Sequence, residues 1–113
     1  MKGLLAAAAL LALSAAPAQA QPACRWVHGR LFAANGNPTF RIAVAGRILG
    51  VRLADDQGLA DLPAPLPRLM APDAFAVDVV ADFRVCPITR ARPGRMRAVR
   101  LLAVAKAAAR PSR

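Results

Sequence analysis

The sequence predicts a small, mainly β domain: an antiparallel barrel or meander of about five strands, OB-like in order, with a short helical turn between strands 3 and 4. Three observations lead there. Period-two alternation is strongest over residues 75–85, where Phe75, Val77, Val79, Ala81, Phe83 and Val85 share one parity and Asp78, Asp82 and Arg84 the other. Turn signals separate three earlier apolar segments. A proline-rich stretch then interrupts the strands between the third and the fourth.

In chain order, Arg25 to Ala34 reads as the first strand, carried by Trp26, Val27, Leu31 and Phe32, with Gly29 marking a bend or close approach. Asn35-Gly36-Asn37-Pro38 is a turn. Thr39 to Ala45 follows as a half-buried strand with Phe40, Ile42 and Val44 on one face. Gly46-Arg47 connects tightly to a third strand, Ile48 to Leu53. Asp55-Asp56-Gln57-Gly58 is a turn, and Pro63, Pro65, Pro67 and Pro72 follow, with a short helical turn at Leu66 to Met70. Pro87 to Gly94 reads as a turn-rich connector. Met96 to Ala109 is rich in Ala, Leu, Arg and Met, which favour helix, yet Val99, Leu101 and Ala103 suit a strand. A strand followed by a short helix or frayed tail is expected. Arg110 to Arg113 is expected to be a disordered tail.

Residues 1–20 read as a cleaved secretory signal peptide. Lys2 precedes an apolar run from Leu4 to Leu13, and Ala18-Gln19-Ala20 supplies the small-x-small cleavage pattern. The run falls short of the ~20 apolar residues that span a bilayer. Cleavage leaves one domain, residues 21–109 plus the tail, with no stable membrane span, and puts it in the periplasm or outside the cell. Intracellular nucleic acid is then excluded as a partner.

Cys24 and Cys86 are the two cysteines. An even count in an oxidising compartment predicts one disulfide, worth about 4 kcal/mol in the chain-entropy model. In an OB-like barrel it joins neighbouring strands, because the first lies beside the fourth. The alternative is a metal site of Cys24, His28 and Cys86, since positions 24 and 28 share a strand face. It lacks an obvious fourth ligand, so neither metal nor cofactor is expected.

The formal net charge is +10, falling to +9 when Lys2 leaves with the leader. Arginine dominates and glutamate is absent. Either GC-rich coding or a polyanion-binding surface accounts for this. In an exported protein the second reading implies lipid phosphates, acidic polysaccharide or extracellular nucleic acid. Arg30, Arg41, Arg47 and Arg52 form the candidate anion-binding set on the first hairpins. Arg30 and Arg41 are placed opposite one another, bridged by an anion or, preferably, by Asp78 or Asp82. Trp26, Phe32 and Phe40 are the aromatics available for base stacking.

No catalytic constellation is present. Ser14 lies in the leader and Ser112 in the tail, which excludes a Ser–His–Asp set. Asp55-Asp56 is punctuation or a weak calcium turn. His28 is read as structural or as a ligand contact. The leading expectation is a non-enzymatic binding or envelope-associated module; a polyanion binder and a metal protein centred on His28 are the alternatives.

Val27-His28-Gly29-Arg30-Leu31, Asn35-Gly36-Asn37-Pro38, Arg41-Ile42 and Arg47-Ile48-Leu49-Gly50-Val51 form a distinctive block. Asp82-Phe83-Arg84-Val85-Cys86-Pro87 and Arg92-Pro93-Gly94-Arg95-Met96 form a second. Together they resemble a group of small exported proteobacterial proteins over most of residues 24–101. That group has no assigned activity, so the resemblance implies no site residues. The chain departs from the group's pattern at Ala43, where relatives carry Trp, in a shorter turn between Gly46 and Arg47, and in lacking a cysteine near Arg100.

Overall fold

The computed structural model describes residues 23–53 and 58–112. The leader and the Asp55-Asp56 turn lie outside them. Five strands form one closed ring: β1 (Arg25–Ala33), β2 (Phe40–Val44), β3 (Arg47–Val51), β4 (Val77–Pro87) and β5 (Arg97–Pro111), in the order β1-β2-β3-β5-β4. A short helix, α1 (Leu66–Met70), lies between β3 and β4, flanked by 3-10 turns at Gly58–Asp61 and Ala74–Ala76. Every joint is antiparallel except β3–β5, which is parallel. This is the strand order and helix placement of an OB-like barrel.

The alternation read in the sequence fills the interior. Val79, Ala81, Phe83 and Val85 from β4 meet Leu31, Ile42, Leu49, Val51, Val99 and Leu101, all buried. α1 starts with Pro67 in its first turn, where a missing N–H costs nothing. Its Leu66 and Met70 are fully buried against the core with Leu62. Each contributes roughly 1.5–3 kcal/mol by leaving water. At Gly29 β1 comes close to β2: a Cβ there would lie 2.5 Å from the Ala43 carbonyl oxygen, a backbone atom that has no room to yield.

The sequence expectations need correction at five places. The β2–β3 turn is centred on Ala45-Gly46, with Val44 paired to Arg47, one residue earlier than expected. Ala45 adopts φ 45°, which an alanine rarely does. Phe75 belongs to a 3-10 turn and is 51% exposed instead of joining the strand core. Asp78 is buried rather than on a wet face. Residues 97–111 form one continuous strand, with no terminal helix and with Arg110 and Pro111 inside it rather than in a tail. β4 supplies a long partner ladder, and pairing overrides the helical preference of the alanines. A bulge at Lys106, φ 55°, keeps that ladder in step past the register shift between Val80 and Asp82.

Candidate anion-binding cleft

Cys24 and Cys86 form the disulfide, tying the start of β1 to the end of β4. Both thiols are consumed, which removes the metal set of Cys24, His28 and Cys86. His28 is exposed and its Nδ1 lies 2.8 Å from Asp82 Oδ1, on the facing position of β4.

The expected arginine set does not converge. Arg30 donates to Asp78 Oδ2 at 3.0 Å and stacks over the Phe32 ring at 4.7 Å. Arg41 faces Phe32, not Arg30, in the hairpin register. It donates to the Pro38 and Asn35 carbonyls and so braces the β1–β2 turn. Arg47 is exposed at the β2–β3 turn. Arg52 alone of the four enters the large cleft. The aromatics are scattered too: Phe40 is buried, Phe32 lies under Arg30, and Trp26 is exposed on the outer face beside Arg84.

That cleft has a volume of about 1290 Å³. Its walls are the β1–β2 turn, the end of β3, the segments on either side of α1, and the β4–β5 loop, residues 88–96. Gly50 of β3 lets two walls approach. A Cβ there would lie 2.7 Å from Pro38 Cγ and 2.9 Å from Met96 Sδ. The loop's base is pinned by Thr89. Its hydroxyl accepts from the Ala98 N–H at 3.0 Å, and its carbonyl accepts from Arg97 Nε at 2.9 Å. The loop's tip, Arg92-Pro93-Gly94-Arg95, is a type II turn: proline second, Gly94 third at φ 73°, and the Arg95 N–H donating to the Arg92 carbonyl at 3.1 Å.

Among the described residues the charge of the cleft is lopsided. Arg52, Arg90, Arg92 and Arg95 line it, and all four are exposed. Each carboxylate among the described residues is engaged. Asp78 and Asp82 hold Arg30 and His28, Asp61 is engaged, and Asp73, which lines the cleft, accepts from the Phe75 N–H. Among the described residues no carboxylate pairs with these four guanidiniums. The apolar share of the wall includes Phe75 and Met96, which are 51% and 38% exposed.

The sequence alone does not mark Arg90, Arg92 and Arg95 as site residues: Pro87 to Gly94 reads as a turn-rich connector, and Arg92 to Met96 belong to a resemblance that implies no site. Strand order was the clue available. In OB-like barrels the loops joining strands 1–2 and 4–5 border the binding face, so an arginine-rich fourth connection was the segment to mark. Comparison with family models, curated proteins and solved structures returns no match. The likeness to OB-like barrels therefore rests on topology alone. The disulfide is compatible with a periplasmic or extracellular protein, and no helix among the described residues is long and apolar enough to cross a membrane.

Proposed function

We propose that this protein is an exported, non-enzymatic binding module of the periplasm or cell exterior that holds an anionic ligand in the cleft between the β1–β2 turn and the β4–β5 loop. The observation that carries the reading is the convergence of Arg52, Arg90, Arg92 and Arg95 on one concave surface without carboxylate partners among the described residues. A structural arginine is normally paired or braced, as Arg30 and Arg41 are here. Guanidiniums left free around a cavity raise the local concentration of anions and bind them through charge-assisted hydrogen bonds. The reading shifts the polyanion-binding site from the first hairpins to the β4–β5 loop.

Binding of heparin and of lipopolysaccharide, titrated at several salt concentrations, tests this. Arg52→Ala/Arg90→Ala should weaken binding about tenfold or more. Arg25→Ala/Arg100→Ala, which removes the same charge from exposed positions outside the cleft, should change it little. Equal losses from both pairs would mean diffuse charge attraction and would overturn the cleft assignment.

A further inference from the structure

We infer that the Arg92-Pro93-Gly94-Arg95 turn is a two-armed seat for a phosphomonoester group, carried on a larger and partly apolar molecule. The inference rests on the anion-binding reading of the cleft and names its ligand class. Arg92 and Arg95 are bridge partners across the turn, so their side chains start from directly opposed positions. Cβ atoms so placed are about 5 Å apart, and like charges there repel. Proline fixes one backbone angle of the turn, and Gly94 supplies the positive φ it requires. The backbone thus holds two cations together, and no described carboxylate sits between them.

One ligand group answers that arrangement best. A phosphomonoester carries up to two negative charges and three terminal oxygens, so each guanidinium can take a pair of oxygens through its planar fork. A carboxylate or a phosphodiester offers one charge and two terminal oxygens. A cleft of about 1290 Å³ is far larger than a phosphate ion needs. Its apolar wall, with Phe75 and the Met96 thioether, gives the uncharged body of the ligand a surface to cover.

The experiment is calorimetric titration of the disulfide-bonded protein with five probes: inorganic phosphate, glucose 1-phosphate, dihexanoyl phosphatidic acid, dihexanoyl phosphatidylglycerol and heparin. Phosphatidic acid should bind about tenfold or more tightly than phosphatidylglycerol, which has the same chains but a diester. Its affinity should fall several-fold between pH 7.5 and pH 5, because the second phosphate ionisation lies near pH 6 while arginine stays charged. Arg92→Lys/Arg95→Lys keeps the charge and should lose most of the preference for the monoester. Arg92→Ala/Arg95→Ala should lose it entirely, with thermal stability unchanged or raised. Glucose 1-phosphate matching phosphatidic acid would keep the phosphomonoester seat but place it on a sugar and remove the apolar half of the assignment. Equal affinity for monoester and diester, with dependence on the arginines retained, would overturn the inference and leave the anion-binding cleft standing. Heparin binding alone would do the same. Inorganic phosphate binding as tightly as phosphatidic acid would remove the apolar half of the assignment. No binding to any probe would overturn both readings.

Discussion

Ala45 stands in the left-handed region at φ 45°, followed by Gly46 at φ 82°. The pair is the centre of a two-residue hairpin turn whose flanking residues are Val44 and Arg47. Type I′ geometry wants Asn-Gly at these positions, because Asn tolerates positive φ and Ala does not. Ala45→Asn should therefore stabilise the barrel by about 0.5–1 kcal/mol. The expected readout is a thermal midpoint several degrees higher; a lower one would mean that the exposed Ala45 side chain has a role the turn geometry does not reveal. Arg30 and Asp78 behave oppositely. Asp78 is buried, its Oδ2 takes the Arg30 guanidinium, and its Oδ1 has no hydrogen-bond partner among the described residues. Removing the cation alone strands a buried charge. Arg30→Met should cost about 2–3 kcal/mol, with screening of the half-exposed Arg30 keeping it below a fully buried pair. Arg30→Met/Asp78→Leu should recover much of that loss, since an apolar pair of similar volume needs no desolvation. Urea unfolding of both variants checks the order, and a double variant no better than the single would sink this account of the pair.

At the level of elements, β4 and the turns between strands were legible in the sequence, while the last strand and the convergence of loops on the cleft were not. β4 announces itself because Val77, Val79, Ala81, Phe83 and Val85 share one parity and Asp78, Asp82 and Arg84 the other, and a half-buried strand has few other ways to be written. α1 could be placed because Pro65 and Pro72 bracket a segment whose apolar Leu66, Leu69 and Met70 recur at helical spacing. β5 resisted, since Ala, Leu and Arg satisfy either conformation until a partner strand is present; its ladder with β4 is information outside its own residues. The cleft was illegible for the same reason. Arg52 and Arg92 are 40 positions apart, and only ring closure through the parallel β3–β5 joint brings their elements together. Gly50 sits at that joint and carries a prediction. A methyl group there meets the rigid Pro38 ring at 2.7 Å and the flexible Met96 end at 2.9 Å. Gly50→Ala should displace the β1–β2 turn and the β4–β5 loop relative to each other, at a stability cost of about 1–3 kcal/mol for overpacking. Anion affinity should fall at temperatures where the variant is still folded. Unchanged affinity would show that the two walls act independently.

Across the whole molecule, ring closure depends on β4, which joins β1 on one side and β5 on the other. The Cys24–Cys86 bond ties β1 to β4 at a sequence separation of 62. Its effect follows from chain entropy: the unfolded chain with a closed loop of that length has lost conformations that the open chain keeps, about 4 kcal/mol on the standard loop relation. A domain this small gains only ~0.05–0.15 kcal/mol per residue in net stability, so the bond is a large share of the total. The cleft sits differently with respect to it. Thr89 fastens the β4–β5 loop to β5 through Arg97 and Ala98, and Gly50 fits it to the β1–β2 turn, without help from the cysteines. Cys24→Ala/Cys86→Ala should therefore lower the unfolding free energy by about 4 kcal/mol. At low temperature, where the variant is folded, its ligand affinity should stay within about twofold of the oxidised protein. A small stability loss would mean that the reduced chain keeps compact structure near the bond. A large affinity loss in the folded variant would mean that the end of β4, two residues before the loop begins, must be held by the bond for the arginines to stay in position.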